Sequence, residues 1–203
     1  MWNAIRRILA RGVPIAALLL ASVKGAAEGE EQLSEILIDD FSEDYSSLGT
    51  SWEGFTDRVM GGKSDMSVGF RSEGGQRHLS MSGAVSLANN GGFIQTRLLL
   101  SAKDRSVYDA SGHTGLKLVV RGTGNDYYVF LRTSGNAFPW SFFMAELPVT
   151  GNWQEVRIPW SQFRKGDFGS FFSLNPAKLK SLAVVAYKKA FSASIDIKSI
   201  SFY

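Results

Sequence analysis

Leu79-Ser80-Met81-Ser82-Gly83-Ala84-Val85-Ser86-Leu87 alternates apolar with small or polar residues at a period of two. A helix needs its apolar positions three and four residues apart. Only a half-buried strand puts every second side chain on one face. The same period returns on both sides of this stretch. Downstream, Leu116, Leu118 and Val120 alternate with Lys117, Val119 and Arg121, and Val156 and Ile158 alternate with Glu155 and Arg157 between Trp153 and Trp160. Tyr127 to Leu131 is a denser aromatic and β-branched run, and Leu182–Ala186 and Ile195–Phe202 close the chain. Upstream, Ile36 and Ile38, followed by Phe41, open a first strand.

Turn residues separate these runs: Gly61-Gly62, Gly74-Gly75, Asn89 to Gly92, Gly122 to Asp126, and Thr150 to Asn152. Glycine and asparagine accept positive φ at little cost, so each cluster is a place where the chain can reverse. Many short strands with such punctuation, and no convincing amphipathic helix, predict an all-β sandwich or barrel. Ser101 to Thr114 reads as a longer polar crossover with room for a helical turn.

The chain has 203 residues, 22 basic and 19 acidic, two histidines and no cysteine. Without cysteine there are no disulfides, no thiolate zinc ligands and no thiol nucleophile. The formal charge of +3 is carried by the first residues. Residues 1–27 hold Arg6, Arg7, Arg11 and Lys24 and no acid, then an apolar run from Val13 to Val23, then small residues to Ala27. That order is a secretory signal pattern, with cleavage expected after Ala27. Export, to a bacterial periplasm, is the expected destination; an acid-free, Arg-containing leader also suits import into a mitochondrion or plastid. Residues 28–35 read as an acidic linker and 36–203 as the domain. Taking 27 from 203 leaves 176 residues, and the leader's four basic residues leave 18 against 19 acidic. A near-neutral domain lacks the positive footprint of a nucleic-acid binder.

Asp57-Arg58-Val59-Met60-Gly61-Gly62-Lys63-Ser64 ends like a phosphate loop, but Asp57 stands where that loop needs glycine, and no helix pattern follows. Two readings are open for it. The stretch is a tight turn tied down by Asp57 and Arg58, or a surface loop that offers Arg58, Met60 and Ser64 to a partner. Asn89-Asn90-Gly91-Gly92-Phe93 likewise reads as a hairpin turn, or as a row of amides for a sugar or peptide. Gly122-Thr123-Gly124-Asn125 lacks the third glycine and the helix of a dinucleotide site, so no cofactor is expected. Most aromatics are assigned to the core. Trp140, in the loop Phe138-Pro139-Trp140, is either a loop anchor or a face for a ligand.

Acids are available at Asp57, Asp65, Glu146, Glu155 and Asp167, but no motif marks a catalytic pair. There is no Gly-x-Ser-x-Gly elbow. His78 and His113 read as exposed polar residues. No catalytic residue is assigned. Asp39 and Asp40 suit capping or turn roles, and oxygen ligation of a calcium ion is the alternative. No resident metal is assigned.

The order Trp52, Asp57-Arg58-Val59-Met60-Gly61-Gly62 with Ser64, Asn90-Gly91-Gly92-Phe93, Val120-Arg121-Gly122, Trp153, and Pro159 with Phe163 resembles the complex I intermediate-associated protein 30 family. The resemblance runs from about Ile36 to Phe202. It implies a galactose-binding-like jelly-roll sandwich, similar to carbohydrate-binding modules. It also implies a non-enzymatic, chaperone-like role in assembling NADH:ubiquinone oxidoreductase through protein contacts. Its signature loops make Asp57, Arg58, Met60, Gly61, Gly62, Ser64, Asn89, Asn90, Gly91 and Gly92 candidate partner-binding residues, with Trp140 beside them. The alternative function is an exported carbohydrate-binding module.

Overall fold

The computed structural model describes residues 34–102, 106–124, 126–136, 138, 140–166 and 173–203. The leader, most of the linker, Asn125, Pro139 and Asp167 lie outside them. The described strands, in chain order, are β1 (Ile36–Asp39), β2 (Trp52–Thr56), β3 (Asp65–Glu73), β4 (Gln76–Val85), β5 (Phe93–Leu99) and β6 (Gly115–Thr123). They continue as β7 (Tyr127–Thr133), β8 (Phe143–Glu146), β9 (Gln154–Pro159), β10 (Arg164–Lys165), β11 (Leu179–Tyr187) and β12 (Phe191–Phe202).

Two sheets form an all-β sandwich. The first has the order β3-β4-β12-β6-β9, with β1 also on β12; the second has the order β10-β8-β7-β11-β5-β2. Every pairing is antiparallel. On β4 and β6 the inward faces are those that period-two reading selects, and on β12 a bulge between Ile197 and Ser199 shifts the phase so that Ile200 also faces inward. Leu116, Leu118 and Val120 of β6 are fully buried, as are Leu79 and Met81 of β4 and Ile195, Ile197 and Ile200 of β12. They meet Ile94, Leu98, Val129, Leu131, Leu182 and Val184 of the second sheet in one apolar cluster. Each such Leu or Ile contributes roughly 2 kcal/mol by leaving water.

Four expectations are corrected. Asn89–Gly92 is not a hairpin turn, because β4 and β5 belong to different sheets. Positive φ at Asn89, Asn90 and Gly92 instead carries the chain across the sandwich. Leu87 lies past the end of β4 and is exposed. The described part of Ser101–Thr114 has no helical turn and makes a single bridge, Tyr108 with Leu179. His78 is buried, its ring edge-on to Trp153 at 5.6 Å, because it sits on β4 beneath the β12 and β6 side chains Asp196 and Arg121.

Candidate functional site

The signature loop folds around one carboxylate. Asp57–Met60 form a 3-10 turn capped by the Thr56 hydroxyl, which accepts from Arg58 N, and closed by Gly61 in the left-handed region at φ 88°. Asp57 is fully buried. Oδ1 accepts Ser64 N at 2.9 Å, and Oδ2 accepts the Ser64 hydroxyl, Gly92 N at 2.6 Å and Phe93 N at 3.3 Å. The Ser64 hydroxyl also accepts Ser86 N at 2.9 Å. A Cβ on Gly62 or Gly91 would overlap the Asp57 carboxylate, which is why the loops need glycine there. Burial pushes the Asp57 carboxyl up, but the hydrogen bonds from Ser64, Gly92 and Phe93 outweigh it and hold it below its ordinary value.

This arrangement divides the residues named from sequence. Asp57 and Ser64 are interior, so neither can touch a partner; they clip the start of β3, the end of β4 and the start of β5 together. Gly92 is buried with them. Gly61 and Gly62 shape the turn. Arg58 is solvent-facing, with Nε donating to Ser64 O at 2.9 Å and Nη2 3.4 Å from Asp65. Asn89 donates from Nδ2 to Gly61 O at 3.2 Å and so joins the two signature loops.

Beside these loops a groove of about 780 Å³ crosses the outer face of the second sheet. Met60, Asn89, Asn90 and Gly91 border it from the signature loops, and Trp140 borders it from the β7–β8 connection. Thus the clip itself is buried while its flanks form a rim. The floor comes from aromatics that sequence reading assigned to the core and from β5 and β11 residues that it did not single out. On β5, Ile94, Thr96 and Leu98 point inward and are fully buried, so Phe93, Gln95 and Arg97 stand on the opposite face. Register sets Ala183 beside both Arg97 and Phe130. Phe130 stacks on Phe142 at 4.0 Å, and Tyr187 meets Phe130 edge-on at 5.3 Å. These rings, with Met144, Ala183 and Val185, make a second apolar cluster separate from the core.

The loop carrying Trp140 is held from below. Asn136 is buried; its Oδ1 accepts Thr133 N at 2.6 Å, and its Nδ2 donates to the Ser141 hydroxyl at 2.9 Å. Arg132 Nη2 donates to Phe138 O at 2.8 Å. Trp140 then lies parallel to Phe138, centroids 5.3 Å apart, with 48% of its surface exposed.

Asp39 and Asp40 are occupied locally. Asp39 accepts Phe41 N at 2.7 Å and Trp52 Nε1 at 2.9 Å; Asp40 accepts the Ser42 N–H and hydroxyl. Among the described residues no cluster of three or more His, Asp or Glu could hold a metal ion.

A family 11 carbohydrate-binding module of a Clostridium thermocellum cellulosomal cellulase superposes with a TM-score of 0.65 at 14% identity, over 83% of this chain and 94% of that one. The family 11 module from Clostridium thermocellum in complex with a β-1,3-1,4-mixed-linked tetrasaccharide gives 0.62 at 15% identity, over 83% and 94%. A family 30 module of a second Clostridium thermocellum cellulase gives 0.57 at 14%, over 84% and 97%. At such identities the likeness shows the fold alone. No curated protein sequence matches the chain. Residues 40–196 match the family model of complex I intermediate-associated protein 30, and the chain belongs to that family.

Proposed function

We propose that the protein is an exported, non-enzymatic binding module that holds an extended glycan chain in the groove over its second sheet. The observation that carries this reading is the groove itself. It is an open trough with rings on its floor, amides at one end and an exposed Trp140 at the rim. Sugar rings present apolar faces to aromatic side chains and hydroxyls to amides and guanidinium groups, which is the composition found here. Among the described residues the lining holds no Asp or Glu, and so no carboxylate pair of the kind that glycoside hydrolysis uses. The fold shared with the family 11 module, solved with a mixed-linked tetrasaccharide, supports the same reading.

A tryptophan-fluorescence titration against cell-envelope and cell-wall glycans tests it. A shift with one glycan class, lost in Trp140→Ala, is expected. Silence across all classes would overturn it.

The family supports a second reading, in which the ligand is a protein segment of a respiratory complex under assembly. The specific feature in its favour is the pair Val59 and Met60, 73% and 60% exposed on the groove rim, where a partner could cover them. In-cell crosslinking of the tagged full chain would then capture respiratory subunits selectively, and Met60→Glu would abolish the capture. The same mass spectra would read leader cleavage at Ala27.

A further inference from the structure

Charge is unevenly distributed over the groove. Among the described residues two charged side chains line it, Arg97 and Arg132, and both are positive. They stand on the same face of strands that flank β11, Arg97 opposite Ala183 and Arg132 opposite Ser181. Arg97 leans on β2: Nη2 is 3.2 Å from Glu53, and its guanidinium carbon lies 4.3 Å over the Phe55 ring. Its Nε is buried and has no acceptor. Among the described residues no carboxylate pairs with Arg132, and its Nη2 donates to the neutral Phe138 carbonyl.

Two cations on one desolvated face repel each other. Burial first, and then the like charge of Arg97, hold the Arg132 guanidinium below its ordinary value. Glu53 neutralises Arg97 from the β2 side only, and among the described residues Arg132 has no anion at all. A carboxylate in the groove supplies the planar oxygen acceptors that the Arg132 fork and the groove side of Arg97 lack, and does so better than a hydroxyl.

We propose that the groove selects acidic glycans, taking the carboxylate of a uronic acid unit between Arg97 and Arg132 while the sugar ring lies on the aromatic floor. This rests on the glycan reading of the groove.

The test uses the full chain and three probes in isothermal titration: an oligogalacturonate, the same oligomer with its carboxyls reduced to alcohols, and a sulfated galactan oligomer. The oligogalacturonate is expected to bind about tenfold tighter than its reduced form, with the advantage shrinking as salt rises. Arg97→Gln is expected to shrink that advantage to about twofold, weakening the oligogalacturonate several-fold more than the reduced oligomer, whose hydroxyls the introduced amide can still meet. Arg97 is the informative variant because Arg132 also supports the Trp140 loop; Arg132→Lys, which keeps charge but loses the planar fork, should give an intermediate loss. Equal binding of acidic and reduced oligomers, both lost in Trp140→Ala, would overturn the acid selectivity and leave the glycan groove standing. Preference for the sulfated oligomer over the oligogalacturonate would also overturn it. Binding of no probe, and of no neutral glycan, would overturn both.

Discussion

The Asp57 carboxylate accepts the backbone N–H of Gly92 at 2.6 Å across 35 positions of chain. With Ser64 and Phe93 on the same two oxygens, one buried acid ties three loop segments between the two sheets. Asp57→Ala leaves buried donors without acceptors and is expected to destabilise the fold by about 3 kcal/mol, read from urea denaturation. Gly91→Ala, which drives a methyl into the same carboxylate, should act in the same direction. A variant Asp57→Ala as stable as the parent would show that the clip is not structural.

The same carboxylate predicts an acid dependence. The fold holds Asp57 below its ordinary value, so the unfolded chain binds more protons. The contribution is complete above the ordinary aspartate value of about 3.9 and is lost as pH falls through the lower folded value. Asp39 runs the other way, because burial raises it. Comparing the parent with Asp57→Asn therefore isolates the clip: the stability gap between them should narrow below about pH 4 and stay constant from there to neutrality. A gap that widened on acidification would contradict the assignment.

How much of this was legible in the sequence depended on what each face touches. β6 shows its inward residues because its partners bury one face and not the other. β3 escapes period-two reading because most of its residues stay exposed at the edge of the first sheet. The signature stretch pointed to the right place but mixed two jobs, since nothing in Asp57 or Ser64 alone says that it faces inward. The groove floor was hidden for a different reason. Phe130 and Phe142 look like core residues, and no motif or turn signal marks Gln95 or Arg97. Only the pairing of β5, β11 and β7, set by contacts distant in sequence, puts these residues on one surface.

Tyr127 links the sheets by a second polar contact. Its hydroxyl donates to Thr123 O at 2.7 Å and accepts Ser194 N at 2.8 Å. Burial pushes the phenol up to about 12. For an acid raised by folding, stability is intact below the unfolded value of about 10 and falls as pH rises above it. Tyr127→Phe should cost about 1–2 kcal/mol at neutral pH and reduce the alkaline loss. Thermal melts across the alkaline range check both, and an unchanged alkaline slope would show that another group titrates.

Calcium is expected to be irrelevant to stability at the end of β1. Asp39 already accepts from Phe41 and Trp52, and Asp40 from Ser42, so neither carboxylate is left waiting for a cation. Melting curves with calcium and with chelator should coincide. A chelator-induced drop would reopen the ion-binding alternative.

Trp140 and Asn136 separate ligand contact from loop support. Trp140 is nearly half exposed and rests on Phe138, so Trp140→Ala should change stability by about 1 kcal/mol or less. As an aromatic face at the groove rim, the same ring should contribute to the ligand, so the change should weaken glycan binding by about 2 kcal/mol, roughly thirtyfold. Asn136→Ala removes no groove contact but strips the acceptor from Thr133 N and the donor to Ser141, so it should destabilise the fold by about 1–3 kcal/mol. Its binding loss should be smaller than that of Trp140→Ala and should reflect a less ordered loop. The two measurements, denaturation and titration, should therefore rank the variants in opposite orders. A common order would mean that the loop acts only as a structural strap, and the aromatic floor would then have to hold the ligand alone.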